Sequence, residues 1–244
     1  MKILVCISNV PDTTTKITFT DNTQFNQAGV QFIVNPYDEI ALARAIELRD
    51  GGNGSVTVIH IGEVNTEPTI RKALAIGATD AVRVNAIPKD AYFVAKQIAE
   101  YAKDKDFDLI LTGRESIDYN GSKVTAMLGE LLDIPSVSII KKINIEGNTG
   151  VVEREIEGGK EVLSIPFPFI AGTAEGVAEW KIPNMRGIMS ARTKPLVVIE
   201  PVAIEQNVHI VKFETPAPRG SVKLVDASEP QKLVELLHSE AKVI

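Results

Sequence analysis

The residues best suited to chemistry lie in one run, Gly113-Arg114-Glu115-Ser116-Ile117-Asp118-Tyr119-Asn120-Gly121-Ser122-Lys123. It follows an apolar strand segment, Phe107 to Thr112, and opens a helical run from about Ser122 to Leu132. A polar, glycine-bearing turn between a parallel-sheet strand and a helix suits a nucleotide phosphate. The first N–H groups of a helix have no internal partner and carry the positive end of its dipole. A plain connecting turn also uses glycine, so both readings stand.

A second candidate is Asn35-Pro36-Tyr37-Asp38. It predicts a helix start, with Asn35 as N-cap and Pro36 at the first helical position. At the carboxyl edge of a parallel sheet, Asn35 and Asp38 could face an adenosine; plain capping uses the same residues. Cys6 stands between Val5 and Ile7 in a strand, so a buried, inert thiol is expected. The three histidines and this cysteine form no metal-ligand spacing. No Gly-x-Ser-x-Gly, Walker lysine motif or nucleophile–base–acid set occurs, so no catalytic residue is assigned.

These residues need a frame to position them. Strands are expected at Ile3–Ser8, Ser55–Ile61, Ala81–Asn85 and Phe107–Thr112, with helices at 37–50, 67–77 and 90–104 between them. Strand–helix alternation of this kind predicts an α/β fold with a doubly wound, mostly parallel sheet. Segments 137–146, 151–157 and 161–165, separated by glycine turns, predict an antiparallel hairpin extension. Residues 176–195 show little periodicity and are expected to form an irregular loop. The chain from 212 to 228 is expected to be extended, followed by an amphipathic helix near 229–241 with Leu233, Leu236 and Leu237 on one side. The expected organisation is one nucleotide-binding domain over 1–200, with hairpins at 137–165 and a recognition loop at about 173–195. A C-terminal arm over 201–244 would pack on a partner.

The 244 residues are 44% hydrophobic and 24% charged, as in a globular protein, and a net charge of −6 disfavours nucleic acid. No apolar run reaches the roughly 20 residues that span a bilayer. Met1-Lys2-Ile3-Leu4-Val5 enters a strand directly, which predicts no signal peptide. A reducing cytoplasm or organelle matrix is the expected location.

Six motifs in order resemble the beta subunit of electron transfer flavoprotein. Lys2-Ile3-Leu4-Val5-Cys6-Ile7 is similar to that family's first strand, and Asn35-Pro36-Tyr37-Asp38-Glu39-Ile40-Ala41 to its Asn-Pro-aromatic-x-Glu-Ile-Ala signature. Arg71-Lys72-Ala73-Leu74-Ala75-Ile76-Gly77-Ala78 resembles its Arg-x-Ala-Leu-Ala-x-Gly-Ala helix end. Gly113 to Asp118 resembles its Gly-Lys/Arg-Gln-Ala-Ile-Asp turn, and Val152 to Gly159 its Val-Glu-Arg-Glu-x-Asp-Gly-Gly hairpin. Ile188-Met189-Ser190-Ala191-Arg192 resembles the end of its partner-recognition loop.

The resemblance implies a heterodimer with an alpha subunit that holds most of the FAD, fed by flavin-dependent dehydrogenases. It implies AMP on this chain, on an adenine-nucleotide alpha-hydrolase-like fold. The cofactor-binding positions carried over are Cys6 (by its backbone), Asn35, Pro36, Tyr37, Asp38, Ile61, Gly113, Arg114, Ser116, Ile117, Asp118, Asn120, Gly121, Ser122, Lys123 and Val124. Tyr37 would lie near the flavin, or be a core aromatic. Glu155 would pair with a basic residue of the alpha subunit, or be solvated. Met185, flanked by Lys181 and Arg186, would be the apolar anchor for the dehydrogenase. Lys123-Val124-Thr125 departs from the family's Gln-Thr-Gly or Gln-Val-Gly, with threonine in place of the glycine. Some relatives carry a second FAD where others carry AMP. A free-standing adenine-nucleotide sensor or hydrolase, and an interaction scaffold without nucleotide, are the competing readings.

Overall fold

Apolar strands buried on both faces build the core of the larger of two compact units, Met1–Ile17 with Gln27–Ile210. The computed structural model describes residues 1–52, 54–218 and 220–244. In chain order the elements of the larger unit are β1 (Lys2–Cys6), β2 (Asn9–Pro11), β5 (Phe32–Val34), α1 (Pro36–Asp50), β6 (Ser55–Ile61), α2 (Glu67–Ile76), β7 (Asp80–Val84), α3 (Ala91–Ala102), β8 (Leu109–Gly113), α4 (Val124–Leu132), β9 (Ser136–Glu146), β10 (Thr149–Ile156), β11 (Gly159–Pro166), β12 (Phe169–Thr173), α5 (Met185–Ala191) and β13 (Leu196–Ile199). Among the described residues nine of these strands form one sheet of order β11-β10-β9-β12-β8-β1-β6-β7-β13, and β2 pairs with β5 in a separate two-stranded sheet. β1 pairs in parallel with β6 on one side and β8 on the other. The chain therefore reverses its direction of winding at β1, and the carboxyl ends of β1 and β8 form the switch point at which folds of this kind place a ligand crevice.

Alternation along each strand divides the core. Ile3, Val5, Val58, Leu109 and Leu111 pack with Ala41, Leu42, Ile70 and Leu74 of α1 and α2. Leu4, Cys6, Ile59, Ile61 and Ile110 pack with Phe93, Ile98 and Leu128 of α3 and α4. The mostly parallel α/β sheet is thus as the sequence predicts.

One local expectation differs from the structure, and one strand had no expectation. Residues 185–191, expected within an irregular loop, form α5, whose N-cap Asn184 accepts the Gly187 N–H at 2.8 Å. The expected antiparallel hairpins are present as β9, β10 and β11, and they extend the main sheet, because β9 runs parallel to β12 and β12 runs parallel to β8. β12 itself carries no strand signature. Phe169-Ile170-Ala171-Gly172-Thr173 is buried at every position, which removes the alternation that marks a half-exposed strand.

A smaller unit comprises Thr18–Asn26 and Val211–Ile244. Within it β3 (Phe19–Thr20) pairs with β4 (Gln24–Phe25). Phe213 stacks on Phe19 with ring centroids 4.7 Å apart, and its N–H donates to the Asn22 carbonyl at 2.7 Å. The expected C-terminal helix is present as α6 (Pro230–Leu236) and a π-helical turn, Leu237–Ala241, and neither buries any residue.

β10 meets β12 at one tight point. A Cβ on Gly150 would lie 2.3 Å from the Phe169 ring. Gly150→Ala is expected to lower stability by about 1–3 kcal/mol through overpacking. Urea denaturation checks this; an unchanged midpoint would mean that the ring moves aside without cost.

Candidate functional site

Asp38 ties the crevice together. It is buried on the first turn of α1. Its Oδ2 accepts the Ser8 N–H at 2.7 Å, just past β1, and its Oδ1 accepts the Gly113 N–H at 3.0 Å, at the end of β8. One carboxyl group thus bridges the two strand ends that flank the reversal. The contact requires glycine at 113, because a Cβ there would lie 2.3 Å from Asp38 Oδ1 and 2.7 Å from Tyr37 Cβ.

Asn35 holds the turn that follows. It precedes α1, yet its side chain does not cap that helix. Instead Nδ2 donates to the Glu115 carbonyl at 2.8 Å and Oδ1 accepts the Ile117 N–H at 3.2 Å. The expectation of side-chain capping is corrected: the amide has both a donor and an acceptor, and the 113–123 turn offers the matching pair. The turn is also braced internally. Ser122 Oγ donates to the Arg114 carbonyl and the Asn120 N–H to the Ser116 carbonyl, each at 2.8 Å. Asn120 and Ser122 are both left-handed, at φ 49°. Such backbone persists where surroundings over-determine it.

The turn delivers the chain to α4 with its first N–H groups open. Lys123, exposed at the N-cap, makes no side-chain cap. Gly121 has open space where a Cβ would stand. Thr125, in place of the family's glycine, turns its hydroxyl inward to Thr112 Oγ1 at 2.7 Å and is buried. Its bulk therefore faces the core and leaves the turn clear. Asp118 and Tyr119 are exposed at the rim.

Tyr37 lies half-buried under the Arg114 guanidinium, 5.5 Å from ring centroid to Cζ. Burial raises its phenol, and a hydrogen bond to Glu175 raises it further. The Arg114 N–H donates to the Thr173 carbonyl at 2.8 Å, so the end of β12 joins the site. Ser8, Thr173 and Glu175 had no sequence signal. Ser8 is an ordinary residue beyond β1, and the other two depend on β12.

Cys6 and Ile61 end neighbouring strands in the core beneath α3 and α4. Cys6 is a free, buried thiol, pushed well up by burial and then by the Asp38 charge, as its apolar setting implies. Among the described residues no His/Cys/Asp/Glu group is placed to hold a metal. Glu155, Met185 and Arg186 lie on other elements, and Lys181 in the segment that leads to α5. Glu155, on β10, is exposed and 3.8 Å from Lys141. Lys181 stands 3.9 Å from Glu47 of α1. Met185 is 73% exposed at the start of α5, with Arg186 exposed beside it.

A family model described as an electron transfer flavoprotein domain matches residues 22–204. The electron transfer flavoprotein subunit beta of Bacillus subtilis is 34% identical, with both chains covered in full. That of Syntrophomonas wolfei is 32% identical over the whole of this chain and 98% of its own, and that of Homo sapiens 29% identical over 94% of each. The chain therefore belongs to the electron transfer flavoprotein family, and within it to the beta subunits. Among the described residues no helix is long and apolar enough to cross a membrane.

Asp38 makes the site pH-sensitive. Burial pushes its carboxyl up to about 7, against the opposing hydrogen bonds from Asn35, Ser8 and Gly113. A raised folded value contributes stability fully below the unfolded carboxylate range, and that contribution is lost as pH climbs through about 7. In Asp38→Asn the amide can accept only one of the two backbone N–H groups, and its NH2 opposes the other. A loss of about 1–3 kcal/mol is expected. Urea unfolding should show the wild-type advantage to be larger at pH 5 than at pH 8; a gap that widens with pH would contradict the assignment.

Proposed function

We propose that this chain is the beta subunit of a heterodimeric electron transfer flavoprotein that carries AMP at the β1/β8 crevice. Its partner is an alpha subunit holding most of the FAD. Flavin-dependent dehydrogenases of the acyl-CoA type deliver electrons to the pair, which passes them to a downstream redox acceptor in the cytoplasm or an organelle matrix. The observation that carries this reading is the uncapped start of α4 behind a turn braced by Asp38 and Asn35. Open N–H groups at a helix start, with Lys123 beside them, match a phosphate. The FAD supplies the electron chemistry when bound. This chain's residues bind, orient and cover, and we read it as a carrier rather than an enzyme.

Two surfaces suit the proposed partners. In the smaller unit Val222, Leu224, Leu233 and Val234 are exposed, an apolar allotment that fits burial against the alpha subunit. In the larger unit Met185 is a flexible apolar anchor between charged neighbours, which suits a contact that must form and dissociate quickly. Glu155, exposed on β10, fits the pairing with a basic residue of the alpha subunit.

Gly121→Val tests the nucleotide site. Gly121 does not have a left-handed φ and its Cβ position is open, so the fold should tolerate valine while the added bulk obstructs a phosphate. Mass spectrometry of nucleotides released from the denatured complex should give one AMP per wild-type chain and much less from the variant. Equal content in both, or none in the wild type, would refute the placement. Met185→Ala tests docking. An exposed side chain costs little to truncate, within about 0.5 kcal/mol. The KM for the dehydrogenase should rise while FAD content and artificial-dye reduction stay level. A lowered melting temperature with unchanged partner kinetics would assign Met185 a packing role.

A further inference from the structure

α5 has seven residues, fewer than two turns. A helix so short has almost no stability alone, so its order must come from its ends and from packing. Asn184 satisfies the start. The other end is held from α2: Arg71 Nη1 donates to the carbonyls of Ala191 and Lys194, each at 2.8 Å. The favour is returned. Lys194 Nζ donates to the carbonyls of Leu74 at 2.9 Å and Ala78 at 2.5 Å, at the end of α2. Each helix thus has its terminal carbonyls met by a cation from the other's segment, where cations also complement the dipole.

The middle of α5 presses on α2. A Cβ on Gly187 would lie 2.3 Å from the Ala75 carbonyl oxygen, so glycine permits the approach. Residues two positions either side of 187 point away from that contact and share a face, being four apart. They are Met185 and Met189, 73% and 67% exposed. The clamp and the close contact therefore set which way two soft apolar side chains face.

We propose that Arg71 and Lys194 are positioning residues for partner docking: their reciprocal capping of α5 and α2 holds Met185 and Met189 as a rigid pair without touching the partner. This rests on the reading of Met185 as the docking anchor. Preorganisation lowers the ordering cost of a transient contact, so loss of the clamp should weaken docking while leaving the flavin site alone.

The test uses the whole two-chain complex carrying Lys194→Met, Arg71→Met or Met185→Ala. Amide hydrogen exchange of residues 185–191 is followed by mass spectrometry. Kinetics are measured with a purified acyl-CoA dehydrogenase and with an artificial dye. Lys194→Met and Arg71→Met should each speed exchange in α5 about tenfold and raise the KM for the dehydrogenase about tenfold. FAD content and dye reduction should hold, and Lys194→Arg should restore both affected values. Wild-type exchange in both methionine variants would overturn the clamp. Faster exchange with unchanged KM, where Met185→Ala raises KM, would overturn its role in docking. An unchanged KM in Met185→Ala would instead fail the docking reading, and the inference with it, by a separate result. Should Arg71→Met unfold the complex, Lys194→Met alone decides the outcome.

Discussion

One buried carboxyl group determines the geometry of this protein's carboxyl edge. Parallel strands leave unpaired N–H groups where they end, and buried N–H groups need partners. At the point where the sheet reverses its winding, two such ends lie side by side. Asp38 accepts from both. Because Asp38 belongs to the first turn of α1, the same contact sets where that helix begins. Asn35, one turn back, then reaches the 113–123 turn. Burial of a carboxyl group is costly unless it is hydrogen-bonded, so this arrangement tolerates little displacement.

The features that suit a phosphate follow from that constraint. Gly113 has no room for a side chain, and its close approach brings the turn over α1. Two left-handed residues let the chain double back and enter α4 without a capping side chain. Thr125 and Thr112 satisfy one another beneath the turn, so these two hydroxyls do not compete for the N–H groups at the start of α4. On the buried side the pairing is incomplete: Arg114 Nε has no hydrogen-bond partner among the described residues, and the Glu115 carboxylate lies near it, at 3.4 Å.

Much of this was legible in the residues. The strand β6 and the helix α1 follow directly from apolar runs bounded by Asn35-Pro36 and Gly51-Gly52. The turn announced itself by glycine and polarity after a buried strand. What escaped depended on tertiary context. β12 is buried at every position, so periodicity could not separate it from a loop rich in proline and glycine. α5 is too short for a helical pattern and exists through the capping of its two ends. Asn35 looked like a cap because capping and long-range bonding use the same amide, and only the folded turn shows which one it makes. Residues 18–26 carried no signal, since the stacking of Phe19 on Phe213 joins positions far apart in the chain.

The turn and the start of α4 are proposed to receive a nucleotide phosphate. Backbone amide shifts of the two-chain complex, recorded by NMR during titration with AMP after removal of endogenous nucleotide, test it most directly. The account predicts saturable shifts largest at Gly121, Ser122, Lys123, Val124 and Thr125, with smaller ones at Asn35 to Asp38. Saturable shifts centred elsewhere, or no shifts at millimolar AMP, would contradict it.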